Sequence, residues 1–331
     1  MVHPYGVCAL PFDFAREQTY TRAILHGRPA MSVTFRQLQP VFAAEVTSGI
    51  DLTNLEDEAT FAELRAGMDE YAVLVFHGQG FTNTQQLAFA RRLDGELNRN
   101  RVLNKARLND DALVDISNLD DNDELLDTYS KRRMYNLGNR LWHTDAAFND
   151  PRGRYSMLHA RVVPDEGGET EFVDLRAAYD ALPGRAKAEI EGLKAHFSVM
   201  HSRATLGFED FSKEEAVKLE GAIHPLVHTI PGSGRKSLYI ASHASRIIDW
   251  PVPDGRLLLL DLRDHAIQLQ FRYTHRWDVG DLVIWDNRCT MHRGLPYEDT
   301  KFRRELVRVT TLDVPFDAPR SLEAMPIPVP N

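Results

Sequence analysis

The sequence predicts a mainly β protein with peripheral helices, arranged as a sandwich, barrel or jelly roll. Many short segments rich in β-forming residues are separated by turn residues. Helical patterns do not alternate regularly with these strands, as they do in proteins built on a parallel sheet. Hydrophobic residues make up 43% of the 331 residues and charged residues 26%, which is typical of a soluble globular enzyme.

The first part of the chain is predicted to mix helices and strands. Its predicted elements are a strand-like segment over 33–46, a helix within 57–71, a strand over 72–76 and a helix from 82 to 93. The first helix is indicated by apolar residues at spacings of three and four. Thr82 followed by Gln85 resembles a capping box, which marks the start of the second helix.

Residues 94–140 are polar and poorly periodic, apart from a predicted strand over 114–118. The acidic run at 120–124 is typical of a solvated loop. Loops of this length in a globular domain commonly serve as lids or binding segments. We therefore expect this stretch to cover an active site.

Strands and helices follow one another to the end of the predicted domain. Strands are predicted over 155–163, 170–173, 226–229, 237–240, 282–285 and 305–311, and helices over 175–182, 185–193 and 256–266. With no repeat or linker, residues 31–318 are predicted to form a single domain. Residues 1–30 are expected to be a leader of unclear role, without a signal-peptide pattern, and residues 319–331 a tail.

Composition limits the function and the compartment. A net charge of −9 argues against binding nucleic acid through a basic surface. No apolar run approaches the roughly 20 residues of a membrane span. Cys8 and Cys289 lie far apart in the sequence, which favours two free thiols in a reducing compartment. We expect a cytoplasmic protein with neither a nucleic-acid nor a membrane partner.

His143 and Asp145 are candidate metal ligands. Residues two apart on an extended segment project to one face. With 13 histidines in the chain, about one such pair is expected by chance, so the motif needs support from elsewhere. His292, which follows a predicted strand, is a candidate third ligand. Two histidines and one carboxylate form the face that leaves positions open on a non-haem Fe(II) ion.

Arginines downstream of His292 provide a candidate anion site. Arg304 and Arg308 lie four residues apart and share one face of a predicted strand. Guanidinium groups bind carboxylates in a bidentate manner. The chain therefore offers a metal site and an anion site together.

These residues, together with several longer segments, carry a resemblance to a known family. The segments are 115–118, 142–145, 154–158, 167–172, 174–182, 279–282, 285–292 and 303–308. In this combination and order the chain resembles the taurine dioxygenase family of Fe(II)/2-oxoglutarate-dependent oxygenases, and within it the 2,4-dichlorophenoxyacetate dioxygenases. The resemblance covers roughly residues 31–315 and implies a double-stranded β-helix, which is a jelly roll.

The resemblance also implies roles for individual residues. It implies Fe(II) ligands at His143, Asp145 and His292, contacts to 2-oxoglutarate at Thr170 and Arg304, and a substrate pocket near Ser117 and Asn118. Arg308 is expected to lie nearby and to bind either the cosubstrate or the anionic group of the substrate. Residues 297–302 hold one more residue than in the close relatives, which leaves the choice between Arg303 and Arg304 open.

With O2, such an enzyme hydroxylates the carbon beside the ether oxygen of an aryloxyacetate, giving a phenol and glyoxylate with succinate and CO2. The substrate is expected to be a small anionic aromatic molecule, and the enzyme a homo-oligomer, as related enzymes commonly are. Oxygenation of taurine or another alkylsulfonate, or of another natural aromatic carboxylate, is an alternative. A non-catalytic jelly-roll binding protein is a third hypothesis, against which the intact ligand set argues.

Overall fold

Two facing β-sheets support the candidate site. The computed structural model describes residues 33–99, 108 and 110–316. The larger sheet has seven strands in the order β1-β2-β3-β13-β5-β15-β4, and a three-stranded sheet has the order β12-β6-β14. The strands are β1 Phe35–Gln39, β2 Phe42–Val46, β3 Val73–Phe76, β4 Leu113–Ser117, β5 Gly153–Val162, β6 Thr170–Asp174, β7 Lys194–Phe197, β8 Ala222–Pro225, β9 Val227–Thr229, β10 Lys236–Leu238, β11 Ala244–Ile247, β12 Arg272–His275, β13 Leu282–Asp286, β14 Thr290–Gly294 and β15 Glu305–Leu312.

The helices lie around these sheets. They are α1 Glu58–Tyr71, α2 Asn83–Asp94, α3 Lys131–Asn136, α4 Leu175–Asp180, α5 Gly184–Ile190, α6 Val199–Ala204, α7 Lys213–Lys218 and α8 Val252–Ala266, with 3-10 turns at Leu52–Asn54, Leu137–Arg140 and Leu269–Phe271. Strands β7, β8 and β11 form a further three-stranded sheet, and β9 pairs with β10. No helix among the described residues is long and apolar enough to cross a bilayer.

The central strands of the large sheet bury both of their faces. In β3, Leu74 and Phe76 pack in a core cluster with residues of α1 and α2. Val73 and Val75 instead pack in a second cluster with Phe172 of β6, in the facing sheet. This division follows from the alternation of side chains along a strand. Burial on both faces explains why β3 is uniformly apolar.

Helix caps confirm two of the predicted helix starts. Asp57 has an extended backbone conformation and is the N-cap of α1. Its side chain accepts a hydrogen bond from the backbone N–H of Thr60. At α2 the predicted capping box between Thr82 and Gln85 is present in both directions. These contacts satisfy backbone donors that the first turn of a helix leaves without partners.

Some elements differ from the sequence-based prediction. The segment predicted over 33–46 is a hairpin of two strands, β1 and β2, paired antiparallel. The polar stretch 94–140 contains α3, which begins after the capping residue Ser130 and was too short to give a periodic pattern. The predicted leader 1–30 and tail 319–331 lie outside the described residues, and the limits of the domain stay predictions.

Candidate metal centre and active site

His143, Asp145 and His292 come together in the structure. Nε2 of His143 lies 3.8 Å from Oδ1 of Asp145, and Nε2 of His292 lies 3.8 Å from Oδ2 of the same carboxylate. One ligand atom from each residue lies within 4.8 Å of the others. All three side chains are buried. Among the described residues this is the one group of histidine, cysteine and acidic side chains arranged to hold a metal ion.

A short backbone bridge places the two histidines side by side. The N–H of His143 donates to the carbonyl of His292 at 2.9 Å, and the N–H of His292 donates back to His143 at 2.8 Å. Their ring centroids are 4.1 Å apart. His292 belongs to β14, whereas His143 makes only this isolated bridge and is followed by a turn. The regular strand expected around His143 is therefore wrong, because a turn begins at Asp145, the second residue of the ligand pair.

Asp145 is held by a buried hydrogen-bond network. Ser156 donates its hydroxyl to Oδ2 of Asp145 at 2.8 Å. The Asn287 side chain accepts from the Asp145 backbone N–H at 3.1 Å and donates to Ser156 at 2.9 Å. Trp285 donates its indole N–H to the same Asn287 oxygen at 3.0 Å. Arg308 also donates to Asp145 Oδ1, so the carboxylate is fixed from several sides.

The electrostatics of the three side chains suit metal binding. Burial lowers the pKa of His143 to about 4 and depresses the pKa of His292 strongly. Burial would raise the pKa of Asp145, but Arg308 and the two histidines outweigh it and lower the pKa to about 2. At neutral pH the site therefore presents two neutral imidazoles and one carboxylate, the protonation states in which these side chains bind metals.

The donor set fits a divalent iron ion. Nδ1 of His143 lies 2.8 Å from the carbonyl oxygen of Leu141, to which it donates when that nitrogen carries the proton, leaving Nε2 free as a ligand. Two imidazoles and one carboxylate suit non-haem Fe(II) and leave other positions of the ion open. The position of Asp145 next to Arg308 keeps a positive charge beside the carboxylate that binds the ion.

A cavity of about 120 Å³ opens beside this centre and contains several predicted residues. Residues that line it include His143, His292, Thr170, Arg304, Arg308, Ser117 and Asn118. Residues 116–118 and 126–140 contribute much of its wall. The described part of the long polar stretch thus lies over the site, as its length and composition indicated.

The structure distinguishes Arg304 from Arg303. Arg304 is buried in the cavity wall, where Nη2 donates to the carbonyl of Gly168 at 3.0 Å. Arg303 is exposed and donates to the carbonyl of Asp123. Burial lowers the pKa of Arg304, although Tyr297 and Glu169 act in the opposite direction. No salt bridge joins its guanidinium to a carboxylate among the described residues. Its guanidinium is therefore available to an anion that enters the cavity.

The remaining predicted residues have partners of their own. Thr170 accepts a hydrogen bond from the indole N–H of Trp277 at 3.0 Å. Asn118 donates to the carbonyls of Asp299 and Phe302 at 2.7 and 2.8 Å, and its oxygen accepts from the backbone N–H of Arg304 at 2.8 Å. Asn118 therefore anchors the loop before Arg304.

Sequence reasoning missed the residues that support the centre. Ser156 and Asn287 belong to segments that carried the family resemblance, but no pattern in the sequence showed that they meet Asp145. His243, which no sequence pattern marked as part of the site, is buried and has its ring 6.0 Å from the ring of His143. Burial depresses its pKa strongly, so it is neutral beside the metal ligand.

The fold and the two histidines and one carboxylate at this centre are typical of non-haem iron oxygenases. A model of the family described as taurine catabolism dioxygenase TauD, TfdA family, matches residues 34–310. The chain belongs to this family.

Relatives and solved structures agree with that assignment. The chain is 46% identical, over 86% of its length and 99% of the relative, to the alpha-ketoglutarate-dependent 2,4-dichlorophenoxyacetate dioxygenase of Cupriavidus pinatubonensis. It is 36% identical to the (S)-phenoxypropionate/alpha-ketoglutarate-dioxygenase of Sphingobium herbicidovorans, over 80% of the chain and 90% of the relative. A crystal structure of AAD-2 with Mn(II) and N-oxalylglycine has 43% identity and a TM-score of 0.82, covering 85% of this chain and 98% of that one.

These matches confirm the family, the double-stranded β-helix and the enzyme class predicted from the sequence. The protein is a 2-oxoglutarate-dependent dioxygenase that uses Fe(II) and O2.

Proposed function

We propose that this enzyme hydroxylates the carbon next to the ether oxygen of an aryloxyacetate such as 2,4-dichlorophenoxyacetate. The observation that carries the proposal is one cavity containing both the metal triad and the unpaired guanidinium of Arg304. Relatives at 43–46% identity are named for this activity. Oxidation of that carbon gives a hemiacetal, which collapses to a phenol and glyoxylate.

Each predicted residue has a role in this proposal. His143, Asp145 and His292 would hold Fe(II), which with 2-oxoglutarate and O2 supplies the oxidising chemistry and releases succinate and CO2. Arg304 and Thr170 would bind the distal carboxylate of 2-oxoglutarate, because a buried guanidinium without a counter-ion favours an anion strongly.

Arg308 has two candidate partners, the carboxylate of Asp145 and 2-oxoglutarate. It donates to Asp145 in the structure and lines the same cavity as Arg304. We assign it to fixing the carboxylate ligand and to assisting the binding of 2-oxoglutarate. Ser117 and Asn118 would form part of the substrate wall, and Asn118 would act by holding the loop before Arg304.

The apolar part of the cavity wall would exclude water and shape the substrate pocket. Leu158, Trp285 and Ile116 line it and are well packed around the centre. Such a wall excludes water and limits the bonds that approach the oxidising site. An aromatic ring fits these surroundings better than a small, strongly hydrated sulfonate does.

The cell compartment and the assembly belong to the proposal as well. We place the enzyme in the cytoplasm as a homo-oligomer that acts on a small anionic aromatic molecule, with no nucleic-acid or membrane partner. The net charge of −9 supports the absence of a nucleic-acid partner.

The experiment that tests the substrate uses the full chain reconstituted anaerobically with Fe(II) and 2-oxoglutarate. After O2 is added, succinate is measured with aryloxyacetates, cinnamate-like acids and taurine. Succinate and a phenol from the aryloxyacetates are expected. Succinate stimulated by taurine alone would keep the metal site but overturn the substrate. Failure to bind Fe(II) and 2-oxoglutarate would favour the non-catalytic alternative.

A further inference from the structure

The segment that carries His143 has little backbone pairing with β14. Among the residues that the structure describes, its strand-like pairing is the isolated bridge between His143 and His292, and a turn begins at Asp145. The hydroxyl of Thr144 adds one hydrogen bond, to the carbonyl of Thr290 at 3.0 Å. A single bridge holds a segment less firmly than the repeated ladder of a regular strand. The position of His143 therefore depends on side-chain contacts made by its neighbours.

Trp142, the residue before His143, packs on the face of the small sheet that lies opposite the metal ligands. It shares a core cluster with Val173 of β6. The ring of His292 instead lies 5.9 Å from the ring of Phe172, which belongs to the cluster between the two facing sheets. This division follows from the alternation of side chains along an extended chain.

Two guanidinium groups lie against the ring of Trp142. Cζ of Arg293 is 4.7 Å from the ring centroid, and Cζ of Arg272 is 5.5 Å from it. Arg293 follows His292 in β14, and Arg272 is the first residue of β12. Tryptophan is the aromatic side chain that attracts cations most strongly, and the attraction is larger in a buried site. Trp142 is buried, so these contacts are favourable.

Glu171 holds both arginines in place. Its Oε1 accepts a hydrogen bond from Nη1 of Arg272 at 3.1 Å, and its Oε2 accepts one from Nε of Arg293 at 2.7 Å. Glu171 is buried in β6, directly opposite Arg293 in the ladder between β6 and β14. Each oxygen of one carboxylate thus fixes one guanidinium against the Trp142 ring. These four residues are called the tryptophan clamp below.

We propose that the tryptophan clamp positions the metal ligands, and that Arg293 is the residue that connects it to them. Trp142 and Arg293 each adjoin one ligand in the chain, His143 and His292 respectively. Contact between their side chains on one face of the sheet therefore keeps the two imidazoles side by side on the other face. This inference rests on the proposed role of His143 as an iron ligand, and it does not depend on the substrate.

The direction of the effect distinguishes positioning from a simple effect of charge. A cation near a metal site repels the metal ion, so an electrostatic role of Arg293 predicts tighter metal binding when its charge is removed. A positioning role predicts weaker binding, because His143 would be held less firmly beside His292.

The test compares Arg293→Met with Arg293→Lys in the full chain. Both replacements are long and unbranched, but only lysine keeps a positive charge for the Trp142 ring. Affinity for Mn(II) is measured by competition with a chelator, and stability by urea unfolding of the metal-free protein. Arg293→Met should bind Mn(II) about 5- to 30-fold more weakly, which corresponds to the loss of one buried cation–π contact. Arg293→Lys should stay within about threefold of the wild-type affinity.

A second pair of variants changes the ring of the clamp. Trp142→Phe keeps an aromatic face for the guanidinium groups, whereas Trp142→Leu does not. Mn(II) affinity should therefore fall further in Trp142→Leu than in Trp142→Phe. If Arg293 acts through the ring, the losses in Arg293→Met and Trp142→Leu should not add in the double variant.

Arg92→Met is the matched control. Cζ of Arg92 lies 4.9 Å from the ring centroid of Phe61, and its Nη2 lies 3.7 Å from a carboxylate oxygen of Glu58. This contact joins α2 to α1, and neither Arg92 nor Phe61 lines the cavity. Its loss should lower stability and leave the affinity for Mn(II) unchanged.

Several results would overturn the positioning role of the clamp. They are unchanged or tighter Mn(II) binding in a folded Arg293→Met, equal losses in Arg293→Met and Arg293→Lys, and an equal loss in Arg92→Met. If Arg293→Met does not fold, the two Trp142 variants decide, and equal losses in these would overturn the role. Wild-type Mn(II) affinity in His143→Ala would instead remove His143 from the ligand set, and this inference would fall with that assignment.

Discussion

Asn287 should determine how tightly the enzyme holds its metal, although it is not a ligand. Its buried amide accepts from Trp285 and from the backbone of Asp145, and it donates to Ser156, which donates to the Asp145 carboxylate. Asn287→Ala removes all three of the amide's hydrogen bonds. At about 1 kcal/mol for each bond, the free energy of unfolding should fall by about 3 kcal/mol.

The same change should weaken metal binding about 10- to 100-fold, the usual effect of removing a group that orients a ligand. Affinity for Fe(II) or Mn(II) is measured by competition with a chelator under anaerobic conditions, and stability by urea unfolding. The matched control is Asn139→Ala, because Asn139 lines the cavity without a side-chain hydrogen bond among the described residues.

A double-mutant cycle with Ser156→Ala adds a test of mechanism. If Asn287 acts through Ser156, the losses of metal affinity in the two single variants should not add in the double variant. Wild-type metal affinity in Asn287→Ala would refute the reasoning, since Asp145 would then be oriented without this network.

Three further predictions concern the cosubstrate, stability and the loop. Arg304→Gln should raise the KM for 2-oxoglutarate about 10- to 100-fold, whereas Arg303→Gln should leave it unchanged in steady-state assays. Burial, helped by the charge of Arg152, lowers the pKa of His228 to about 3, so the neutral side chain stabilises the fold fully above pH 6.5 and this stabilisation is lost as the pH falls. Between pH 7.5 and 5, the free energy of unfolding measured in urea should therefore fall by about 2 kcal/mol less in His228→Gln than in the wild-type enzyme. Asn118→Ala should speed hydrogen exchange in the loop 295–303, and unchanged exchange would contradict its anchoring role.

The metal ligands could be predicted from the sequence because their chemistry is partly local. His143 and Asp145 are two residues apart, and His292 lies in a segment that carried the family resemblance. The supporting network could not be predicted in this way. Ser156 and Asn287 are 131 residues apart and meet only after β5 and β13 have paired.

Burial decides other assignments that the sequence left open. Arg303 and Arg304 are equivalent in sequence, and only the structure shows that Arg304 is buried in the cavity wall. Strands such as β3 were predictable since burial on both faces leaves a continuous apolar run in the sequence.

The proposed hydroxylation of an aryloxyacetate, coupled to decarboxylation of 2-oxoglutarate, is tested most directly by one ratio. This is the ratio of succinate to phenol formed from 2-oxoglutarate and 2,4-dichlorophenoxyacetate. In the wild-type enzyme we expect a ratio close to one, because each decarboxylation is coupled to one hydroxylation. We expect neither product from an Asp145→Ala variant that remains folded by circular dichroism. Succinate formed without phenol in the wild-type enzyme, or full turnover by Asp145→Ala, would contradict the proposed function.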